Sequence, residues 1–129
     1  MNPTLNAHKT IVNALSNEED RILFARYIFV ETLKRVDLSV YYNDKKLIKA
    51  AAALDGLLLV AVEWLYQSCS CLSALNLKQH DKKKLSSCPR NVFEQAFNII
   101  INRFETSTTE EAAKEACIYL NILLNKIYE

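Results

Sequence analysis

The chain has 129 residues, 50% of them hydrophobic, with one glycine, two prolines and a formal net charge of +1. That length suits one domain with its own core, so residues 1–129 read as a single unit. The lone Gly56 excludes Gly-rich phosphate loops and argues against sheets built on tight hairpins, and the near-neutral charge makes no global case for a polyanionic partner.

A first helix is expected from Pro3 to Leu15, with proline in its opening turn and Leu5, Ile11, Val12 and Leu15 on its apolar side. Ser16 or Asn17 caps the second helix, where Glu18, Glu19 and Asp20 suit the positive helix end. Its stripe reads Ile22, Ala25, Phe29, Leu33 and Val36, widened by Phe24 and Ile28. Asp37 to Asn43 forms a sharp connection, and Asn43 or Asp44 caps a long central helix ending near Ser68. The stripe of that helix is Leu47, Ala51, Leu54, Leu58, Ala61 and Leu65, with Ala50 to Ala53 and Gly56 giving a slim section. Gln79 to Ser87 is polar and lysine-rich and reads as a loop.

Ser87-Cys88-Pro89 opens a helix carrying Val92, Phe93, Ala96, Phe97, Ile100, Ile101 and Phe104 inside. The last helix follows Thr106 to Thr109, with Ser107 and Glu110, or Thr108 and Glu111, at capping-box spacing. Its inner stripe is Ala112, Ala113, Ala116, Cys117, Leu120, Leu123, Leu124 and Ile127. The pattern predicts an all-α, antiparallel four-helix bundle with a short extra N-terminal helix.

Chemistry is sparse. The N-terminal stretch lacks a signal-peptide core, so the chain is expected in the cytoplasm with reduced thiols. A zinc reading would join Cys69, Cys71, His80 and Cys88, but Cys-x-Cys is not structural-zinc spacing and no metal is expected. Lys49, Asp55 and Glu63 break the most apolar helix, which argues against a membrane span. His8 and His80 both read as surface residues, and the paired carboxylates occupy helix first turns. No HExxH, CxxC or Glu-x-x-His motif is present, so neither an enzyme nor a cofactor is expected.

Asp55 is singled out as a candidate buried polar site, where it needs Arg26, Arg35 or Arg103 as a partner; the other structural reading turns it outward between two apolar faces. Six tyrosines and Trp64 supply amphipathic rings suited to an interface. The central helix is apolar almost all round, and Leu57, Leu59, Val60 and Trp64 lie beyond its main stripe. They are the candidate interface of a homodimer.

The segment Tyr41-Tyr42-Asn43-Asp44-Lys45-Lys46-Leu47-Ile48-Lys49-Ala50-Ala51 resembles a bacterial family of small helical-bundle proteins that read Tyr-x-Asp-Lys-Lys-Tyr-Val-x-x-Ala there. The order of parts that follows is similar, and such bundles look like the HEPN class of antiparallel helical domains. The resemblance implies that fold, and a place among toxins, antitoxins and nucleotide-linked systems. Where the family carries Gly-His-Thr this chain has Ala52-Ala53-Leu54, and none of its arginines is followed by a His at the HEPN ribonuclease spacing. No catalytic residue is carried over.

The leading expectation is therefore a non-enzymatic, self-associating helical interaction module. The alternative is a small subunit of a nucleic-acid-handling complex, of the CRISPR-effector or toxin–antitoxin kind. It would touch phosphates through Lys45, Lys46, Lys49, Lys78, Lys82, Lys83 and Lys84.

Overall fold

The computed structural model describes residues 3–37, 44–70 and 79–128, without the side chains of 3, 4, 44 and 79–81. Six helices make up almost all of it: α1 (Pro3–Ala14), α2 (Glu18–Arg35), α3 (Asp44–Cys69), α4 (Gln79–Leu85), α5 (Arg90–Ser107) and α6 (Glu110–Ile127). No strand occurs among the described residues.

The corner between α1 and α2 is fixed by one arginine. Arg21 Nη1 donates to the Leu15 carbonyl at 2.7 Å, and its Nε donates to Glu63 Oε1 of α3 at 2.6 Å. The guanidinium also lies 4.3 Å from the centre of the Tyr66 ring. Asn17 is the cap of α2, its side-chain oxygen accepting from the Glu19 N–H at 2.8 Å.

The inner line of α2 is Ala25, Ile28 and Thr32, with Phe24, Phe29 and Val36 partly buried beside it, as expected except for Thr32 and for the two residues that leave the stripe. Ile22 and Leu33 point outward instead. α2 is apolar on two sides, so spacing alone does not say which side faces inward. The smaller residues do, because Ala25 and Thr32 let α2 approach its neighbours. The Thr32 hydroxyl is buried without penalty, since it donates to the Ile28 carbonyl at 2.7 Å.

The expected loop at 79–87 is largely α4. One apolar anchor holds this short helix: Leu85 is buried, and its Cδ2 lies 3.7 Å from where a Cβ on Gly56 would sit. Lys82, Lys83 and Lys84 occupy its last turn, where cations suit the helix dipole. α5 begins behind Pro89, and Tyr128 Oη donates to the Cys88 carbonyl at 2.6 Å, tying the end of the chain to that start. The cap of α6 is Thr109, whose side chain accepts from the Ala112 N–H, and not Ser107 or Thr108. Those two hydroxyls turn back to the Arg103 and Phe104 carbonyls at the end of α5.

The helices pack in three layers. α3 and α6 lie side by side in the middle, α2 and α5 cover one face of that pair, and α1 and α4 cover the other. α2 packs on α3 and α5, and α5 packs on α6. The core runs through both seams, with Phe93, Ile11, Leu54, Leu57, Leu65, Ile100, Leu120 and Leu123 fully buried. This is why α3 needs apolar residues nearly all round: it is covered from two sides within one chain.

Candidate functional site

The three-layer packing reassigns the residues nominated from sequence. Leu57 and Trp64, expected at an interface, are buried in the chain's own core. Trp64 Nε1 donates to the Tyr119 carbonyl of α6 at 3.0 Å. The cover that a partner was expected to supply comes from α1 and α4. Leu59 stays at the surface of α3 with 36% of its area exposed, and Val60 is partly buried against the chain's own core. Asp55 is partly exposed rather than buried, and makes no ion pair with Arg26, Arg35 or Arg103 among the described residues. It lies on the outer strip of α3, one turn from exposed Ala52 and Leu59.

His8, expected at the surface, is partly buried between α1 and α6. Its Nε2 lies 3.2 Å from Glu115 Oε2 and 2.9 Å from Tyr119 Oη. Both contacts use the same ring nitrogen, and both partners come from one face of α6 at i and i+4. The cluster clasps α1 to α6, with Trp64 bonded to the backbone of the same Tyr119. Sequence spacing cannot show it, because His8 and Glu115 are 107 positions apart.

The lysines of the nucleic-acid reading divide between two helices. Lys45, Lys46 and Lys49 are exposed on the first turns of α3, Lys83 and Lys84 are exposed on α4, and Lys82 is partly buried. Lys78, Cys71, Tyr41 and Tyr42 lie outside the described residues, as does the His80 side chain. Cys69 and Cys88 are buried, and Cys117 is partly buried. Burial pushes the Cys88 thiol up to about 12. Tyr66, Tyr119 and Tyr128 are partly buried and pack within the chain. No described helix is long and apolar enough to cross a membrane.

Two features stand out on the side that no third layer covers. The first is the outer face of α2. Leu23 is 59% and Val30 49% exposed, and Ile22, Tyr27 and Leu33 are exposed as well. Leu23, Arg26, Val30 and Leu33 recur in steps of three and four, the spacing of a helix–helix seam. The signal is legible in the sequence, but it is superimposed on the inward stripe of the same helix.

The second is a cleft of about 140 Å³ between α2 and α5, lined by Tyr27, Arg35, Ile99, Asn102, Arg103 and Thr106. The Arg103 guanidinium sits 5.2 Å from the centre of the Tyr27 ring. The Thr106 hydroxyl donates back to its own helix, to the Asn102 and Arg103 carbonyls. No local motif marks this cleft, because it forms only when two helices far apart in sequence are packed together. Compared with protein-family models, curated proteins and solved structures, the chain matches none of them.

Proposed function

We propose that this chain is a non-enzymatic helical interaction module of the HEPN-like antiparallel kind, built on α2, α3, α5 and α6, which self-associates through the outer face of α2. The observation that carries the reading is the row of exposed Leu23, Val30 and Leu33 on that face, with Ile22 and Tyr27 beside it. These five residues leave on the order of 400 Å² of largely apolar surface uncovered, within the range of the largest patch on a monomer and often functional at that size. A standard interface buries about 800 Å² per partner, somewhat over half of it apolar, so the patch matches one side of a small dimer.

The charges of α2 favour a second copy as the occupant. Its first turn carries Glu18, Glu19 and Asp20, and its last turn carries Lys34 and Arg35. Two copies related by a two-fold axis across the middle of α2 run antiparallel. In one such register Glu19 of each copy faces Lys34 of the other, and Leu23 faces Val30. Acidic start then meets basic end, and the helix dipoles oppose one another. The exposed contact of Lys34 with Glu31 at 3.2 Å is exchangeable at little cost.

Light scattering at high micromolar concentration tests this. Twice the chain mass is expected for the natural chain and a single mass for a Leu23→Glu, Val30→Glu variant with unchanged helical circular dichroism. A single mass for the natural chain, or a dimer that survives both substitutions, overturns the reading.

A further inference from the structure

We propose that the cleft between α2 and α5 binds a small phosphomonoester, its dianionic phosphate held between the guanidiniums of Arg35 and Arg103. Both arginines line one cleft, and no carboxylate is among its lining residues. Guanidinium groups keep their charge at any ordinary pH, so the cleft holds two fixed positive charges. Elsewhere on the molecule, Arg21 is paired with Glu63 and Arg90 with Glu94. Arg35 and Arg103 have no ion-pair partner among the described residues.

Each arginine has a local explanation. Arg35 stands in the last turn of α2, where a cation suits the dipole, and Arg103 stacks on Tyr27. Neither explanation accounts for two arginines lining one hollow with no carboxylate among its lining residues. A doubly charged oxyanion satisfies both, because a guanidinium fork bonds two oxygens at once.

The remaining lining sets the ligand's size and shape. A cleft of about 140 Å³ corresponds to roughly five water molecules, room for a phosphate and a short substituent. The Asn102 amide adds a neutral donor on the α5 side, while the Thr106 proton is already engaged by its own helix. Ile99, which is nearly fully buried, and the Tyr27 ring give an apolar wall for an organic substituent. An organic phosphate should therefore bind more tightly than the free ion, and a singly charged phosphodiester less tightly.

The experiment is a titration followed by two-dimensional amide and arginine-Nε NMR at constant ionic strength, with phenyl phosphate, inorganic phosphate, acetate and a short single-stranded oligonucleotide as probes. Phenyl phosphate is expected to shift the signals of Asn102, Arg103 and Thr106 saturably and to bind more tightly than inorganic phosphate. Arg35→Gln and Arg103→Gln should each weaken it about tenfold or more, while a Lys83→Gln, Lys84→Gln variant leaves it unchanged. Both arginines are exposed, so the folded spectrum of each variant serves as its own control. The site is refuted by non-saturating shifts, by affinity indifferent to both arginine substitutions, or by equal loss in the lysine variant. Acetate or the oligonucleotide binding there as tightly as phenyl phosphate refutes the phosphomonoester class. Repeating the titration on the Leu23→Glu, Val30→Glu variant separates this cleft from self-association, since neither residue lines it.

Discussion

At the scale of single residues, Cys88 shows burial alone setting a side chain's chemistry. Its thiol is 1% exposed, and desolvation raises its pKa from 9.0 to about 12. In the unfolded chain the thiol ionises near 9, whereas the folded chain keeps its proton until about 12. Between those values the folded state binds more protons, so stability falls with rising pH by about 1.4 kcal/mol per unit. Below pH 9 the contribution is constant. Urea midpoints at steps from pH 8 to 11 should therefore fall more steeply for the natural chain than for Cys88→Ala. Parallel slopes would place the thiol in contact with water. His8, expected at the surface, and Asp55, for which burial and an outward position both stood open, were illegible for one cause: neither partner nor exposure is encoded within one helical turn of the residue.

Helix ends and faces were legible to different degrees. Asn17 was named as a cap from its type and the acidic turn that follows, and it is one of the two residues proposed there. α6 starts where expected, after Thr109, but its cap is one position beyond Thr108 and two beyond Ser107, because four hydroxyl residues in a row compete for the same role and only Thr109 reaches the Ala112 N–H. Thr109→Ala should cost about 1 kcal/mol, while Thr108→Ala stays within about 0.5 kcal/mol. Urea midpoints measure both, and equal losses would return the cap to the earlier position. The inner faces of α5 and α6 could be read almost residue by residue, since each helix has one apolar side and one polar side. α2 has two apolar sides, so the expected face holds for Phe24, Ala25, Ile28, Phe29 and Val36 but not for Ile22 and Leu33, and α4 has a single apolar anchor and no periodic signal at all.

For the molecule as a whole, composition and period established that the chain is helical, but the number of layers was not legible. An apolar surplus on a central helix looks the same whether a partner or another part of the chain covers it. Here α1 and α4 cover much of it, and the longest row of exposed apolar residues lies on α2. The layering predicts unequal costs along α3. Leu57→Ala, in the seam, should lose about 2–5 kcal/mol, whereas Leu59→Ala, on the outer strip, should lose less than about 1 kcal/mol. Chemical denaturation of both variants checks this, and a Leu59 loss as large as that of Leu57 would mean the outer strip is covered. The cleft of Arg35 and Arg103 was invisible for the same reason as the layering, since both depend on which helices become neighbours.

The clasp of His8 with Glu115 and Tyr119 has a consequence for the birth of the protein. α1 leaves the ribosome well before α6, one of the two helices it docks on. At ordinary elongation rates the interval is roughly five to twenty seconds. Throughout it Ala7, Ile11 and Leu15, all buried in the finished fold, have no α6 to pack on. A nascent chain of this protein therefore presents the α6-facing side of that short segment to chaperones and peptidases until α6 emerges.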